Sequence, residues 1–453
     1  MKNIALFCIP AFGHTNPLLP IARELVERGH HVRFYSFDLF KEKIESTKAT
    51  YISCDRFLSS LTNKQEKKLK NISTTEMTIQ SIHITIEMDS FLNEEFKKEK
   101  PDLIITDSAC FWGKLSAMKY NIPYVVSTTT FAFNQLSSSY MKQSFKEVAD
   151  IIFGLPKVSK ELKKLEQYGY HVKNAISLVS SDNHTDTLVY TSKSFQPFAE
   201  SFSSHYQFVG PSLFDHYTLD KHHERALIYI SMGTIINERL DFYQKCIDCL
   251  QDEDVDIIIS VGNNVPIEQL HFNKEKVHIY PSVNQLEVLS RANLFITHCG
   301  MNSVSESLYM ATPMLLCPQT AEQRAVARRT KEVGAGIMLD DDIHSSAMKI
   351  LHNPQFVSSA MQYRQDFISS GGVKKAVDYI EGAPYKKDEV DLIEELNKYN
   401  KKTKLIYWMI IILLIFLLKG KYGLIIGIIA FLCSFPVRKK LQMRKYDKMI
   451  KNY

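Results

Sequence analysis

The sequence predicts an α/β protein of two Rossmann-like domains facing a cleft, followed by a C-terminal membrane helical hairpin. Three observations point there. A strand–turn–helix–strand alphabet opens the chain and restarts near residue 226. The length, 453 residues, exceeds one ordinary core and suits two. Two apolar runs close the chain, split by Lys419-Gly420-Lys421.

The opening run, residues 4–10, is continuously apolar, as a parallel strand covered on both faces would be. Lys2 and this short run lead into Gly13-His14-Thr15-Asn16-Pro17 with no small-residue cleavage site, so it reads as a strand and not a signal peptide. Asn16 is placed to cap a helix with Pro17 at its first position. Leu18, Leu19, Ile21, Ala22, Leu25 and Val26 give that helix an apolar face, and Gly29 ends it. Residues 31–37 are the next strand, completing a βαβ unit. Further strands are expected at 49–53, 103–106, 124–127 and 187–190, with helix between them.

Residues 195–214 hold Pro197, Gly210 and Pro211 and little regular pattern. The second half then repeats the alphabet: a strand at 226–231, a turn at Met232-Gly233-Thr234 and a helix from Arg239. Strands at 255–261, 277–280, 294–297 and 314–317 and helices at 285–290, 302–310 and 323–332 follow, with a last helix at 373–381 after Gly371-Gly372. The expected division is a first domain at 1–205, a linker at 206–223, a second domain at 224–385, a charged linker at 386–404, the hairpin at 405–437 and a basic tail at 438–453.

The apolar runs are 405–418 and 422–437. At about 1.5 Å per residue, helices of these lengths fall short of the roughly 30 Å hydrocarbon core, so a re-entrant hairpin or two thin spans is expected. Trp408 and Tyr422 suit an interface, and the flanks Lys401, Lys402, Lys404, Arg438, Lys439 and Lys440 would hold both ends on the cytoplasmic face. A soluble helical hairpin is the competing reading, but the runs are apolar all round. Net charge is +5, yet residues 401–453 carry 12 Lys and Arg against Asp447 alone, leaving the body mildly acidic. That pattern points to a membrane surface and anionic lipid, not to nucleic acid. The basic runs Lys64, Lys67, Lys68, Lys70 and Lys160, Lys163, Lys164 are solvated faces or further lipid contacts.

The eight cysteines are scattered; Cys246 and Cys249 form a lone CxxC with no second pair, so buried reduced thiols are expected rather than zinc. Asp252–Asp254 and Asp340–Asp342 formally contain D-x-D but sit in polar stretches and read as solvated turns.

The chemistry concentrates in three places. The stretch Leu294-Phe295-Ile296-Thr297-His298-Cys299-Gly300-Met301-Asn302-Ser303-Val304-Ser305-Glu306 is strand, glycine turn, helix start. Free N–H groups at such a helix start suit a phosphate, and Gly300 lets an anion approach the backbone. On spacing alone, Ser303 with Glu306 is equally a capping box. Gly13-His14 follows the first strand, where open α/β sheets place ligands. Asp107 ends a later strand, where it can also cap a helix with Ser108.

These segments resemble the signature of the nucleotide-diphosphate-sugar (UDP-) glycosyltransferases of small-molecule acceptors, closest to the bacterial macrolide-glycosyltransferase group, which has the GT-B fold. Gln285-Leu286-Glu287-Val288-Leu289, Thr297-His298-Cys299-Gly300-Met301-Asn302-Ser303-Val304-Ser305-Glu306, Thr312-Pro313 and Pro318-Gln319-Thr320-Ala321-Glu322-Gln323 match its pattern. So do Gly13-His14-Thr15-Asn16-Pro17 and Asp107 in the first half, and the resemblance covers about the first 385 residues. It implies that His298, Gly300, Asn302 and Ser303 hold the diphosphate, with Ser231, Gly233 and Thr234 in a second loop. Gln285 opens the donor motif, Glu306 takes the ribose hydroxyls, and Glu322 and Gln323 take the sugar hydroxyls. His14 would be the general base, oriented by Asp107. The first domain would bind the acceptor, with Phe131, Phe133 and Tyr140 as candidate lining, core packing being the competing role. Four places depart from the pattern: Ser282 stands where the family has a base-stacking aromatic, Asn284 replaces its proline, Ala311-Thr312 precede Pro313 without the family's glycine, and Glu322 replaces its aspartate. Tyr280 is the substitute candidate for stacking.

The expectation is an inverting, metal-independent hexosyltransferase that uses a UDP-sugar as co-substrate, with no cofactor. Its acceptor would be a lipophilic hydroxyl, in a membrane lipid or hydrophobic metabolite. The alternatives are a catalytically silent membrane-bound GT-B partner, favoured by Ser282, and a UDP-sugar epimerase or hydrolase.

Overall fold

The structure, a computed structural model, describes residues 1–58, 73–141, 144–172, 178, 184–214, 217–221, 223–382, 392–417 and 437–450. The chain divides into two units: Met1–Ser181, Thr185–Pro197 and Gln207–Ala383 make the larger, and Asp182–His184, Phe198–Tyr206 and Pro384–Tyr453 the smaller.

The first sheet holds β1 (Asn3–Phe7), β2 (His31–Ser36), β3 (Thr50–Ser53), β4 (Leu103–Asp107), β5 (Tyr124–Thr128), β6 (Thr187–Val189) and β7 (Tyr206–Phe208), in the order β3-β2-β1-β4-β5-β6-β7. The second holds β8 (Ala226–Ser231), β9 (Val255–Ser260), β10 (Val277–Tyr280), β11 (Leu294–Thr297), β12 (Met314–Leu316) and β13 (Gly336–Met338), in the order β10-β9-β8-β11-β12-β13. Neighbours from β3 to β6 and throughout the second sheet pair in parallel, and every residue of β4 and β11 is buried, which explains the unbroken apolar runs. In each sheet the order reverses at the first strand: β1 lies between β2 and β4, and β8 between β9 and β11. Connections on either side of that point leave toward opposite faces and open a crevice at the strands' C-terminal ends.

The longer helices of the first half are α1 (Leu18–Glu27), α2 (Thr74–Lys98), α3 (Phe111–Lys119) and α4 (Phe145–Gln167). Those of the second half are α5 (Leu240–Leu250), α6 (Gln285–Arg291), α7 (Met301–Tyr309), α8 (Ala321–Glu332), α9 (Ile343–Leu351), α10 (Pro354–Ser369) and α11 (Gly372–Gly382). Asn16 does not cap α1. Phe12–Thr15 already forms one helical turn, and Pro17 takes the capping position with no side-chain bond. Gly29, at φ 86°, ends the helix as expected. The Asp340–Asp342 turn is less passive than a solvated one, since Asp342 accepts from the Ser345 amide at 3.0 Å and caps α9.

The last helix of the larger unit returns to the first sheet. Ala376, Val377 and Ile380 of α11 join the core formed by β1, β2 and α1, and Arg28 bonds Asp378 and Glu381 at 2.6 and 2.7 Å. The connection between the halves is pinned at two points. Arg23 of α1 lies over the Phe214 ring, 4.6 Å from its centroid. Lys221 is largely buried; its Nζ donates to Leu289 O and Ala292 O at 2.6 Å each and to Thr312 Oγ1 at 2.8 Å. Burial, with the Arg364 cation adding, pulls its pKa down to about 7, while three acceptors match the three N–H of an ammonium.

The expected membrane hairpin is not supported. The described parts of its charged linker and first apolar run form a single helix in the smaller unit, α12 (Leu392–Leu417), whose first half carries Glu394, Glu395, Lys398, Lys401, Lys402 and Lys404. The apolar part that remains is too short: among the described residues no helix is long and apolar enough to cross a membrane. The placement on the cytoplasmic face and the lipid partners rested on that hairpin and lose their support with it. Residues 437–450 are helical. The second apolar run at 422–436 and the lysines at 64, 67, 68 and 70 lie outside the described residues.

Lys221→Met takes the ammonium donor from Ala292 O and Thr312 Oγ1, while Leu289 O keeps the Thr312 hydroxyl as a donor at 3.0 Å, so it should lower unfolding stability by about 1–3 kcal/mol. Thermal melting of the purified variant checks this.

Candidate active site

The first half brings His14 and Asp107 together from two strand ends. Asp107 is the last residue of β4, and His14 sits on the Phe12–Thr15 turn that follows β1. Their bond, His14 Nδ1 to Asp107 Oδ2, is 2.8 Å, with the Asp107 side chain fully buried and that of His14 29% exposed. The second Asp107 oxygen accepts from the Ala109 amide at 2.9 Å, a local turn in place of the helix cap the sequence allowed, since α3 starts after Cys110. Thr129 Oγ1 lies 3.3 Å from the same His14 nitrogen. Burial works against a charge on His14, but the Asp107 carboxylate, by charge and by hydrogen bond, and the Glu322 carboxylate raise its pKa overall. With Nδ1 held by Asp107, the ring's Nε2 is the nitrogen left to take a proton.

The second half builds a turn for an anion. Thr297 ends β11, and Cys299 takes a left-handed φ of 67°, with its amide bonded to Thr297 Oγ1 at 3.2 Å. Gly300 is the N-terminal cap of α7 and no side chain caps it. The capping box that Ser303 and Glu306 could have made is therefore absent, and the first amides of α7 are left to a ligand. His298 packs between two glycines: a Cβ at Gly233, itself at φ 81°, would stand 2.5 Å from His298 Nε2, and one at Gly300 2.6 Å. Burial pushes the His298 imidazole down to about 4, a contact with the Ser231 backbone opposing, so it stays neutral. Ser231 Oγ accepts from the Gly233 amide at 3.4 Å, and Thr234 is exposed beside it.

Glu306 and Ser303 meet Gln285. Gln285 Nε2 donates to Glu306 Oε2 at 2.6 Å and to Ser303 Oγ at 3.3 Å, while its Oε1 accepts from the Tyr229 hydroxyl. Burial pushes the Glu306 carboxyl up to about 7, the Gln285 bond opposing. Gln323 closes a capping box with Thr320, its Oε1 accepting from the amides of Gln319 and Thr320 at 2.8 and 3.2 Å. Its amide nitrogen is what remains to offer a sugar. Glu322, one residue earlier, is exposed. Asn302 reaches the other half: its Nδ2 donates to Gly13 O at 2.9 Å, tying the phosphate turn to the His14 turn.

Some expected residues serve elsewhere. Phe131 is 1% exposed and packs on Phe195, at 5.6 Å between centroids, inside the core of the second half. Tyr140 is bonded to Glu332 of α8. Tyr280 is 44% exposed at the end of β10, open to a stacking partner. Sequence reasoning missed Thr129 and Tyr229. Thr129 immediately follows β5, the neighbour of β4, and that position was the available signal.

Two Rossmann-like halves, with a His–Asp pair in one and an uncapped helix start in the other, have the architecture of the GT-B transferases. The comparisons are specific. Residues 211–365 match the family model described as UDP-glucoronosyl and UDP-glucosyl transferase. The chain is 30% identical to an uncharacterized UDP-glucosyltransferase of Bacillus subtilis (strain 168) over 396 residues, 84% of this chain and 97% of that one. It is 24% identical to the oleandomycin glycosyltransferase of Streptomyces antibioticus, over 84% of this chain and 90% of that one. The crystal structure of the calicheamicin glycosyltransferase superposes with a TM-score of 0.69 at 24% identity, over 84% of this chain and 98% of that chain. The protein belongs to the UDP-glycosyltransferase family and is a glycosyltransferase.

Gly300 has φ −62°, which alanine adopts freely, so Gly300→Ala acts only through its contact with His298. It should displace the His298 ring, weakening UDP binding about tenfold, roughly 1.4 kcal/mol, and lowering the melting temperature. Titration calorimetry with UDP decides it.

Proposed function

We propose that the protein transfers a hexose from a UDP-sugar to a hydroxyl of a hydrophobic small-molecule acceptor, with inversion at the anomeric carbon and no metal. The observation that carries this reading is the 2.8 Å bond from His14 to the buried Asp107 carboxylate. It fixes the imidazole with Nε2 free and stabilises the imidazolium that forms on proton uptake. In one displacement, the acceptor hydroxyl gives its proton to His14 Nε2 and its oxygen bonds the anomeric carbon. The bond from that carbon to the diphosphate breaks, and the electron pair leaves with UDP. The charge on the leaving diphosphate falls to the N-terminus of α7 and the neutral His298. The ribose hydroxyls donate to Glu306, and Glu322 with the Gln323 amide meets the sugar. The UDP donor is supported by the names of the family and of the Bacillus relative. A small-molecule acceptor is supported by the oleandomycin enzyme, named for a small molecule.

The test offers UDP-glucose, UDP-galactose and UDP-N-acetylglucosamine, with EDTA present, to a panel of hydrophobic alcohols and phenols, reading products by mass. His14→Ala should lower kcat by about 10²–10⁴-fold. In the wild type the rate should rise with pH as the elevated His14 pKa is passed. Asp107→Asn removes the main group that raises it, so the acid limb should move to lower pH while the maximum rate falls. A wild type that transfers from none of the donors and does not bind UDP overturns the proposal.

Because burial pushes the Glu306 carboxyl up to about 7, two ribose hydroxyls donating to it would favour its ionised form. UDP binding at pH 7 should therefore release protons, and Glu306→Gln should reduce that release to the part that comes from the nucleotide's own phosphate. Calorimetry in buffers of different ionisation enthalpy measures it.

A further inference from the structure

One segment of the first half runs from the His14–Asp107 pair to the helix that carries Glu322 and Gln323. It begins at Thr129, whose hydroxyl is 3.3 Å from His14 Nδ1. It then enters the second half: Phe131 lies in that half's core with Phe195. Gln196 brackets the backbone of Ala132, accepting from its amide and donating to its carbonyl at 3.0 Å each. A tight turn follows, in which Asn134 Oδ1 accepts from the amides of Leu136 and Ser137, and Ser137 Oγ donates back to Ala132 O at 3.0 Å. The segment ends at Tyr140. The Arg328 guanidinium lies over the Tyr140 ring, 4.3 Å from its centroid, and the Tyr140 hydroxyl donates to Glu332. Arg328 Nε also bonds Glu332 Oε1 at 2.9 Å, which closes a triangle on α8. The same helix is held once more by Arg329, which donates to the carbonyls of Ser194 and Phe195.

We propose that Tyr140 is a positioning residue for the transfer: through Arg328 and Glu332 it locks the 129–140 strap to α8, so that the base and the sugar-facing start of α8 keep one spacing. The role rests on the transferase reading above. Arg328 and Glu332 are substantially exposed, at 46% and 33%, and a surface contact of this kind adds little to global stability. Its effect falls on geometry, where a displacement of about 1 Å costs catalysis far more than it costs folding. The segment between the two ends has no slack, because its turn is stitched internally and its aromatic is buried. Releasing Tyr140 therefore frees the end of the strap that meets α8, while the turn at His298 and Gly300, which none of these bonds reaches, keeps its own contacts.

The test compares wild type, Tyr140→Ala and Tyr140→Phe in the full chain. UDP-glucose is the donor and 4-methylumbelliferone the acceptor probe. Tyr140→Ala should raise the KM for the acceptor about tenfold and lower kcat severalfold, with the Kd for UDP within twofold of wild type. Tyr140→Phe keeps the ring on Arg328 and should recover part of the loss. Amide hydrogen exchange, which needs no substrate, should show faster exchange in 129–140 of Tyr140→Ala and unchanged exchange in α7. Unchanged exchange in the strap overturns the proposal, as does a UDP affinity that falls together with the melting temperature. Failure of wild type to transfer would count against the transferase reading instead, and the exchange result would still decide the strap.

Discussion

The bond between His14 and Asp107 is the constraint on which the functional account depends, and it exists only because β1 and β4 are neighbours. The two side chains lie 93 positions apart in the chain. They meet because the sheet order reverses at β1, which places the turn after β1 and the end of β4 on one edge of the same crevice. Thr129, from the turn after β5, joins them for the same reason. A carboxylate with no exposed surface is costly to keep ionised alone. Its two oxygens are met by the His14 ring and the Ala109 amide, which fix the side chain in one orientation.

The second sheet repeats this topology and puts different chemistry at its reversal. Between β8 and β11 lie Ser231 and Gly233 on one strand end and His298 and Gly300 on the other. Here the local backbone matters more than a charged pair. A left-handed Cys299, a capless helix start and two glycines against one imidazole leave amides and a neutral ring facing the site. The two edges are joined directly through Asn302 and Gly13, so the anion turn and the base turn are mechanically linked.

The parallel strands were legible because burial on both faces leaves uninterrupted apolar runs, as in Leu103-Ile104-Ile105 and Leu294-Phe295-Ile296. The short strands β7 and β13 and helices α9 and α10 were not, since three-residue strands and mixed helices carry too little pattern. The candidate site was legible as motifs, and its local geometry was not. Ser303 and Glu306 read as a capping box, yet the helix begins at Met301, so the pair faces Gln285. Gln323 read as a sugar ligand, and its carbonyl is occupied by its own helix start. The apolar C-terminal runs read as a hairpin, because composition was legible there and the extension of α12 back into the charged segment was not.

The most direct measurement is nitrogen-15 NMR of histidine-labelled protein, following the His14 ring through pH titration in wild type and Asp107→Asn. If Asp107 governs His14, the wild-type ring carries its neutral-state proton on Nδ1 and titrates above an ordinary imidazole, and both features disappear in Asp107→Asn. A ring that titrates like free histidine, or that does not respond to loss of the carboxylate, would contradict the base assignment and the mechanism built on it.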